Sequence, residues 1–362
     1  MKSTLALWLL FFAGSVAAVE IRNVQHDPAI VDTQKNEAVM VRFSLSDPAT
    51  VTLTIYDGRD LMIRALTTEN ILPAGDHVLE WLGKDQLGRP VPPGAYHYTV
   101  YAITPSGEHV EHDLTDLTGG EDIDVEAVNW DPDKGQISYV LTSNAMVNIR
   151  FGLKNDGPLL RTLLNWVPRA GGLQREDWDG MDESAALDLT RHPQLLTAAQ
   201  AFSLSDNTIL VDPVAKQVRL VEDMTWGESR RKVKQQRKKR MYAHAQQTLE
   251  TRGDFSIELK LPEGLKYDKS GVPLLSGTVP VRLDIEQKDR TRALSRRFEP
   301  VFFLDGVYVF ENETGFLPMT WNWDTANASP GVHYLTANLR GYEGNFGIAT
   351  LKVRVVARDG DN

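Results

Sequence analysis

One phrase occurs twice at a constant spacing. Arg64, Leu66, Gly75, Trp81, Gly83 and Asp85 are matched in order by Arg161, Leu163, Gly172, Trp178, Gly180 and Asp182. Around both copies apolar residues alternate with polar ones, and that period of two puts each apolar set on one face of a strand. A strand with one apolar face must bury it against another layer, so the repeated unit reads as a β-sandwich present in tandem.

The first unit spans residues 19–105. Val39, Val41, Phe43 and Leu45 alternate with Met40, Arg42 and Ser44, and Val51, Leu53 and Ile55 alternate with threonines. Asp57 and Gly58 break the run, Pro73 to Asp76 turn the chain, and Gly94 opens a strand with Tyr96, Tyr98, Val100 and Ala102 on one face. Trp81 is expected to fill core volume, Gly83 to supply a turn dihedral and Asp85 to accept turn amides. Trp178, Gly180 and Asp182 take the same structural roles in a second unit, residues 123–221. There Ile137, Tyr139 and Leu141 precede Val147, Ile149 and Phe151. The stretch from Leu187 to Phe202 has no counterpart in the first unit and reads as an added loop or short helix.

A third unit spans 253–358, with Val279, Val281, Leu283 and Ile285 alternating. Ile348, Leu351, Val353 and Val355 alternate after a one-residue irregularity that reads as a bulge. FFLDGVYVF predicts a tight hairpin about Asp305 and Gly306. Pro330, Gly331 and Tyr334 repeat the opening of the first unit's last strand, while WNWD at 321–324 replaces the turn phrase.

The run VTLTIYDGRDLMIRAL, followed by AGDHVLEWLGKDQLGRPVPPGAYHYTV, resembles the immunoglobulin-like domain of the flagellar hook-capping protein type over residues 36–103. The resemblance implies a strand end and turn at Trp81, Gly83 and Asp85, and the start of the last strand at Pro93, Gly94 and Tyr96. It implies an exported bacterial protein and scaffolding work. The fold class expected is all-β: tandem immunoglobulin-like sandwiches with a basic helical connector.

Residues 1–18 read as an export signal. Lys2 gives the positive end, Leu5 to Phe12 the apolar run, and Val16 with Ala18 the small residues before a cleavage point near Ala18. No later apolar stretch reaches bilayer length, so the expectation is a periplasmic or secreted protein that is not integral to a membrane. The sequence contains no cysteine, which removes disulfides, thiolate metal sites and cysteine nucleophiles. A domain of this kind is held together by buried apolar surface alone. The formal net charge of -10 opposes nonspecific nucleic-acid binding.

Two connecting segments differ from the units. Residues 106–122 read as an acidic linker. Residues 222–252 contain Arg230, Arg231, Lys232, Lys234, Arg237, Lys238, Lys239 and Arg240, then the helix-compatible run YAHAQQTLE. Good helix formers, with no Pro or Gly from Glu228 to Arg252, predict several helical turns there. The eight basic residues are partner-binding candidates for an acidic protein surface or anionic lipid, weighed against a solvated connector.

HExxH, GxSxG, the phosphate loop, the dinucleotide glycine pattern and the EF-hand loop are absent, so no catalytic residue, cofactor or metal is assigned. His109, Glu111 and His112 form the densest ligand-like cluster but fall in the expected linker. Asp179, Asp182 and Glu183 crowd a turn, where capping is favoured over calcium. Glu311, Glu313 and Asp324 lack any spacing that would make a glycosidase pair. Among Phe302, Phe303, Tyr308, Phe310, Phe316, Trp321 and Trp323, one alternating subset is expected in the core and the rest at an interface. The function expected is a non-catalytic exported scaffold or adaptor organising an envelope protein complex. The alternative is a carbohydrate or cell-wall binding protein, with a glycan-active enzyme behind it.

Overall fold

The computed structural model describes residues 18–32, 35, 37–211, 254–295, 297–313, 315–342 and 344–357. The export segment up to residue 17 and the basic connector, including Arg230 to Arg240, lie outside the described residues. Over these residues the chain is all-β, built of tandem immunoglobulin-like sandwiches with one short α-helix.

The strands of the first part are β1 (Ile21–Asp27), β2 (Ile30–Val31), β3 (Val39–Leu45), β4 (Thr50–Tyr56), β5 (Met62–Thr67), β6 (Gly75–Trp81), β7 (Gly94–Ile103) and β8 (His109–His112). The second part contains β9 (Asp122–Ile123), β10 (Val125–Asp131), β11 (Gln136–Leu141), β12 (Ala145–Leu153), β13 (Leu159–Arg169), β14 (Gly172–Asp177), β15 (Leu195–Ser203) and β16 (Thr208–Val211). The third contains β17 (Ile257–Lys260), β18 (Leu274–Leu275), β19 (Thr278–Ile285), helix α1 (Gln287–Leu294), β20 (Phe298–Leu304), β21 (Val307–Glu311), β22 (Met319–Asp324), β23 (Gly331–Gly341) and β24 (Phe346–Val355).

Each sandwich sets a three-stranded sheet against a larger one. The small sheets are β1-β3-β6, β10-β11-β14 and β17-β19-β22. The large ones are β2-β16-β7-β4-β5 with β8 beside β7, β13-β12-β15-β9, and β18-β24-β23-β20-β21. The alternation explains the packing directly. In β19 every second residue, Val279, Val281, Leu283 and Ile285, is buried in the third core, and Val39, Val41, Phe43 and Leu45 of β3 do the same in the first. Burial begins at Val19, and Glu20 exchanges hydrogen bonds with Ser46 immediately after it.

Four features depart from the sequence reading. Thr208–Val211, assigned to the second unit, pairs antiparallel with residues 94–97 of β7 and parallel with β2. Ile209 and Val211 are accordingly fully buried in the first core. β24 holds the corresponding place beside β23 and β18 in the third sandwich, so β16 is the closing strand of the first sandwich, and the second sandwich is inserted before it. The expected linker is partly a strand, because β8 pairs with residues 100–103 of β7. Only the first half of the stretch Leu187 to Phe202 is loop; from Leu195 it supplies most of β15, which pairs with all of β12 and is part of the sandwich itself. β24 pairs with β23 without a register shift; Ile348 lies on the outer face, buried there, and needs no bulge.

Candidate scaffold joints

The repeated phrase forms a clasp across each of the first two sandwiches. Trp81 is 1% exposed, and its indole N–H donates to the Lys84 carbonyl at 2.9 Å. Gly83 has φ of 64°, and the chain then bends around Asp85, whose carboxylate accepts the amides of Leu87 (2.7 Å) and Arg89 (3.0 Å). The Arg89 guanidinium adds a contact at 2.9 Å. Burial disfavours the Asp85 charge, but these donors outweigh it and hold the carboxyl below its ordinary range. Gln86 then donates to the Ile63 carbonyl, and Arg64 reaches the Asp85 carbonyl at 2.6 Å, tying the turn to β5 in the opposite sheet.

The second copy repeats this geometry. The Trp178 indole donates to Met181 at 3.0 Å, the Asp182 carboxylate accepts Ala186 and Leu187, and Glu183 N–H donates to Leu160 in β13. At Gly180, φ is 76° and an added Cβ would sit 2.2 Å from the Thr190 methyl, so only glycine fits. Asp179 accepts the Met181 amide, so Asp179 and Asp182 cap their own turn, while Glu183 accepts the Thr162 amide beside Arg161 and ties the turn to β13.

The first joint is made by β16. Leading into it, Asn207 donates through its side-chain amide to the Tyr98 carbonyl at 2.6 Å, while its own carbonyl accepts the Tyr98 N–H. The second joint lies between the second and third sandwiches. Arg150, 7% exposed on β12, donates to Asp254 at 2.6 Å and lies over the Phe346 ring. Asp254 also accepts Thr162 Oγ1 at 2.7 Å and the Phe346 amide at 2.9 Å. The Asn338 side chain of β23 makes a two-way bond with the backbone of Leu159, both at 2.8 Å, and the Thr350 amide donates to Ser184. Arg150 Nη2 also donates to the Gly344 carbonyl at 3.2 Å, while Nε is buried without a hydrogen-bond partner, so the Asp254 carboxylate is what compensates the buried charge.

The other residues singled out in sequence do not converge. His109 and Glu111 lie on β8 with His112, whose imidazole is part-buried and pushed below its ordinary value by burial. Glu311 is on β21 of the large sheet, whereas Asp324 ends β22 of the small one and caps the following turn through Ala326. Among the described residues no three His, Asp or Glu groups form a metal-holding cluster, and no helix is long and apolar enough to cross a membrane. Of the aromatic set, Phe302, Phe303 and Trp323 are buried, and Phe310 stacks on Trp321 at 5.2 Å. Tyr308 and Phe316 are exposed. The polar residues of the second joint were missed in sequence because Arg150 and Asn338 occupy the outward positions of alternating strands, which ordinarily face water.

The fold and these joints define a repeat β-sandwich protein. Within it, residues 28–106 match the FlgD Ig-like domain, a family typical of exported bacterial flagellar-associated proteins. No curated protein matches the chain. Similar solved structures include one concerned with host cell surface retention of a bacterial ice-binding adhesin, at 11% identity, covering 94% of this chain and 99% of that one with a TM-score of 0.19. The central fibronectin-III array of RIM-binding protein is 9% identical, with 93% and 97% covered and a TM-score of 0.19. A tetra-tandem repeat from the extending region of a large adhesion protein is 13% identical, with 93% and 74% covered and a TM-score of 0.21.

Proposed function

We propose that this chain is a non-catalytic exported scaffold that holds envelope proteins at a fixed spacing, acting in the periplasm or outside the cell after cleavage near Ala18. The observation that carries the reading is the coupling of its sandwiches. The second is inserted into the first, and the Arg150–Asp254 and Asn338–Leu159 contacts join the second to the third. Flexible linkers give each module independent orientation, whereas buried joints fix the distance between surfaces, which is what organising a complex requires. The division into an inserted second sandwich, a basic connector at 222–252 and a third sandwich belongs to the same proposal. Arg230 to Arg240 supply an attachment to an acidic partner surface through the connector.

The test is sequential recovery from the envelope fraction. Two different proteins should be recovered together through a tag on one of them, and only when this chain is present. Neutralising the eight basic residues should weaken the recovery most at low salt. Recovery of a single partner, or of cell-wall glycan in place of protein, would refute the scaffold reading.

A further inference from the structure

The edge of the third sandwich carries a feature that the joints do not use. β21 is paired with β20 on one side only and ends its sheet. Val307, Tyr308 and Val309 are consecutive and 66%, 52% and 38% exposed. Val307 pairs with Leu304, which packs on the core, and Tyr308 pairs with Phe303, so the two lie on opposite faces and both faces of this edge are apolar; among the described residues its outer backbone groups have no strand partner.

Three other outer strands are guarded. β14 carries Arg175, Glu176 and Asp177, β22 presents Thr320, Asn322 and Asp324 outward, and β5 has Arg64 folded onto the clasp. β21 has only a register shift, which leaves Val309 unmatched opposite Phe302 and Phe303. A shift of this kind sharpens the twist but leaves the edge open. Beyond the apolar triplet the chain is acidic. Glu311 and Glu313 are exposed and form no ion pair among the described residues.

We propose that β21 receives an extended strand from a partner protein, added antiparallel, with apolar residues at alternate positions and Lys or Arg toward its amino end. Main-chain hydrogen bonds would supply affinity and the side-chain pattern selectivity, as in strand addition generally. The orientation follows the sheet, in which β20, β21, β23 and β24 are antiparallel neighbours. An antiparallel guest places its amino end beside Glu311 and Glu313, and this complementarity of charge selects the basic flank. The inference names a partner class for the scaffold reading and rests on it.

The probe is a displayed library of random peptides, about ten residues long to span a strand of this length, panned against the full chain. The enriched peptides should alternate apolar residues and begin with Lys or Arg. Adding one should slow deuterium exchange at residues 307–311, and Glu311→Gln with Glu313→Gln should weaken it about tenfold at low salt. Val309→Lys, at an exposed position, should abolish binding while leaving the denaturation midpoint unchanged. Enriched peptides without the pattern, protection elsewhere, or binding indifferent to both variants would overturn the proposal. So would a dimer of this chain protecting the same amides, since the occupant would then be a second copy. Peptide binding is read independently of envelope recovery, so failure here leaves the two-partner result standing, and the reverse also holds.

Discussion

Replacing Ile209 by alanine tests the inserted arrangement most directly. Ile209 is fully buried, its core neighbours belong to the first sandwich, and its strand pairs with Tyr96 of β7. Removing a buried Ile side chain costs about 2 to 5 kcal/mol, the upper end applying where rigid neighbours cannot collapse. Here the neighbours are strands held in two sheets, so about 3 to 4 kcal/mol is expected. If β7 amides exchange by opening of the first sandwich, each 1.4 kcal/mol is a factor of ten. Exchange at residues 94–97 should then quicken on the order of a hundredfold to a thousandfold. Hydrogen exchange read by mass spectrometry should show this change in residues 94–103 and 39–45, with β10, β11 and β14 affected far less. The reasoning is refuted if the substitution loosens the second sandwich while the first keeps its protection.

Further expectations concern the clasps, the second joint and one histidine. Trp81→Ala and Trp178→Ala should each lose about 3 to 5 kcal/mol in chemical denaturation, and near-wild-type midpoints would show that the indoles are not core residues. Asp254→Ala leaves Arg150 buried without its carboxylate and should cost about 3 to 5 kcal/mol. Scattering should then show the second and third sandwiches no longer held at one separation, and an unchanged profile with unchanged stability would count against the joint. Burial acts to lower the His333 value, but the hydrogen bond to Asp305, the Ser329 carbonyl and the Asp305 charge together raise it above 6.5. Its stabilisation is therefore full below pH 6.5 and is lost as pH rises through the higher folded value. The denaturation midpoint should fall across that interval in the wild type and not in Asp305→Asn, and an identical pH profile for both would exclude the pair as the cause.

Local signals in the sequence determined much of this protein. Alternation at Val39 to Leu45 and Val279 to Ile285 marked strands with one buried face, and the pattern depends only on adjacent residues. The repeated Trp, Gly and Asp positions marked clasps because a positive φ, a carboxylate near turn amides and a large ring at a core end each demand a particular residue. The hairpin at Asp305 and Gly306 was readable for the same reason, with φ of 50° and 83°.

Which sheet each strand joins was decided only by the tertiary structure. Thr208–Val211 is buried at every position, so it has no polar face to orient it, and its partners Gly94 to His97 lie across the whole second sandwich. Leu195–Ser203 is rich in alanine, which fits helix as well as strand, and its pairing with β12 settled the matter. Asn148 and Arg150 occupy the solvent positions of an alternating strand, yet β12 is buried at every residue, and Asp254 and Phe346 of the third sandwich lie against Arg150. Alternation records which residues share a face; it carries no information about what lies against that face. The joints exist because long-range packing buried polar side chains and then supplied Asp254 to Arg150 and the Leu159 backbone to Asn338.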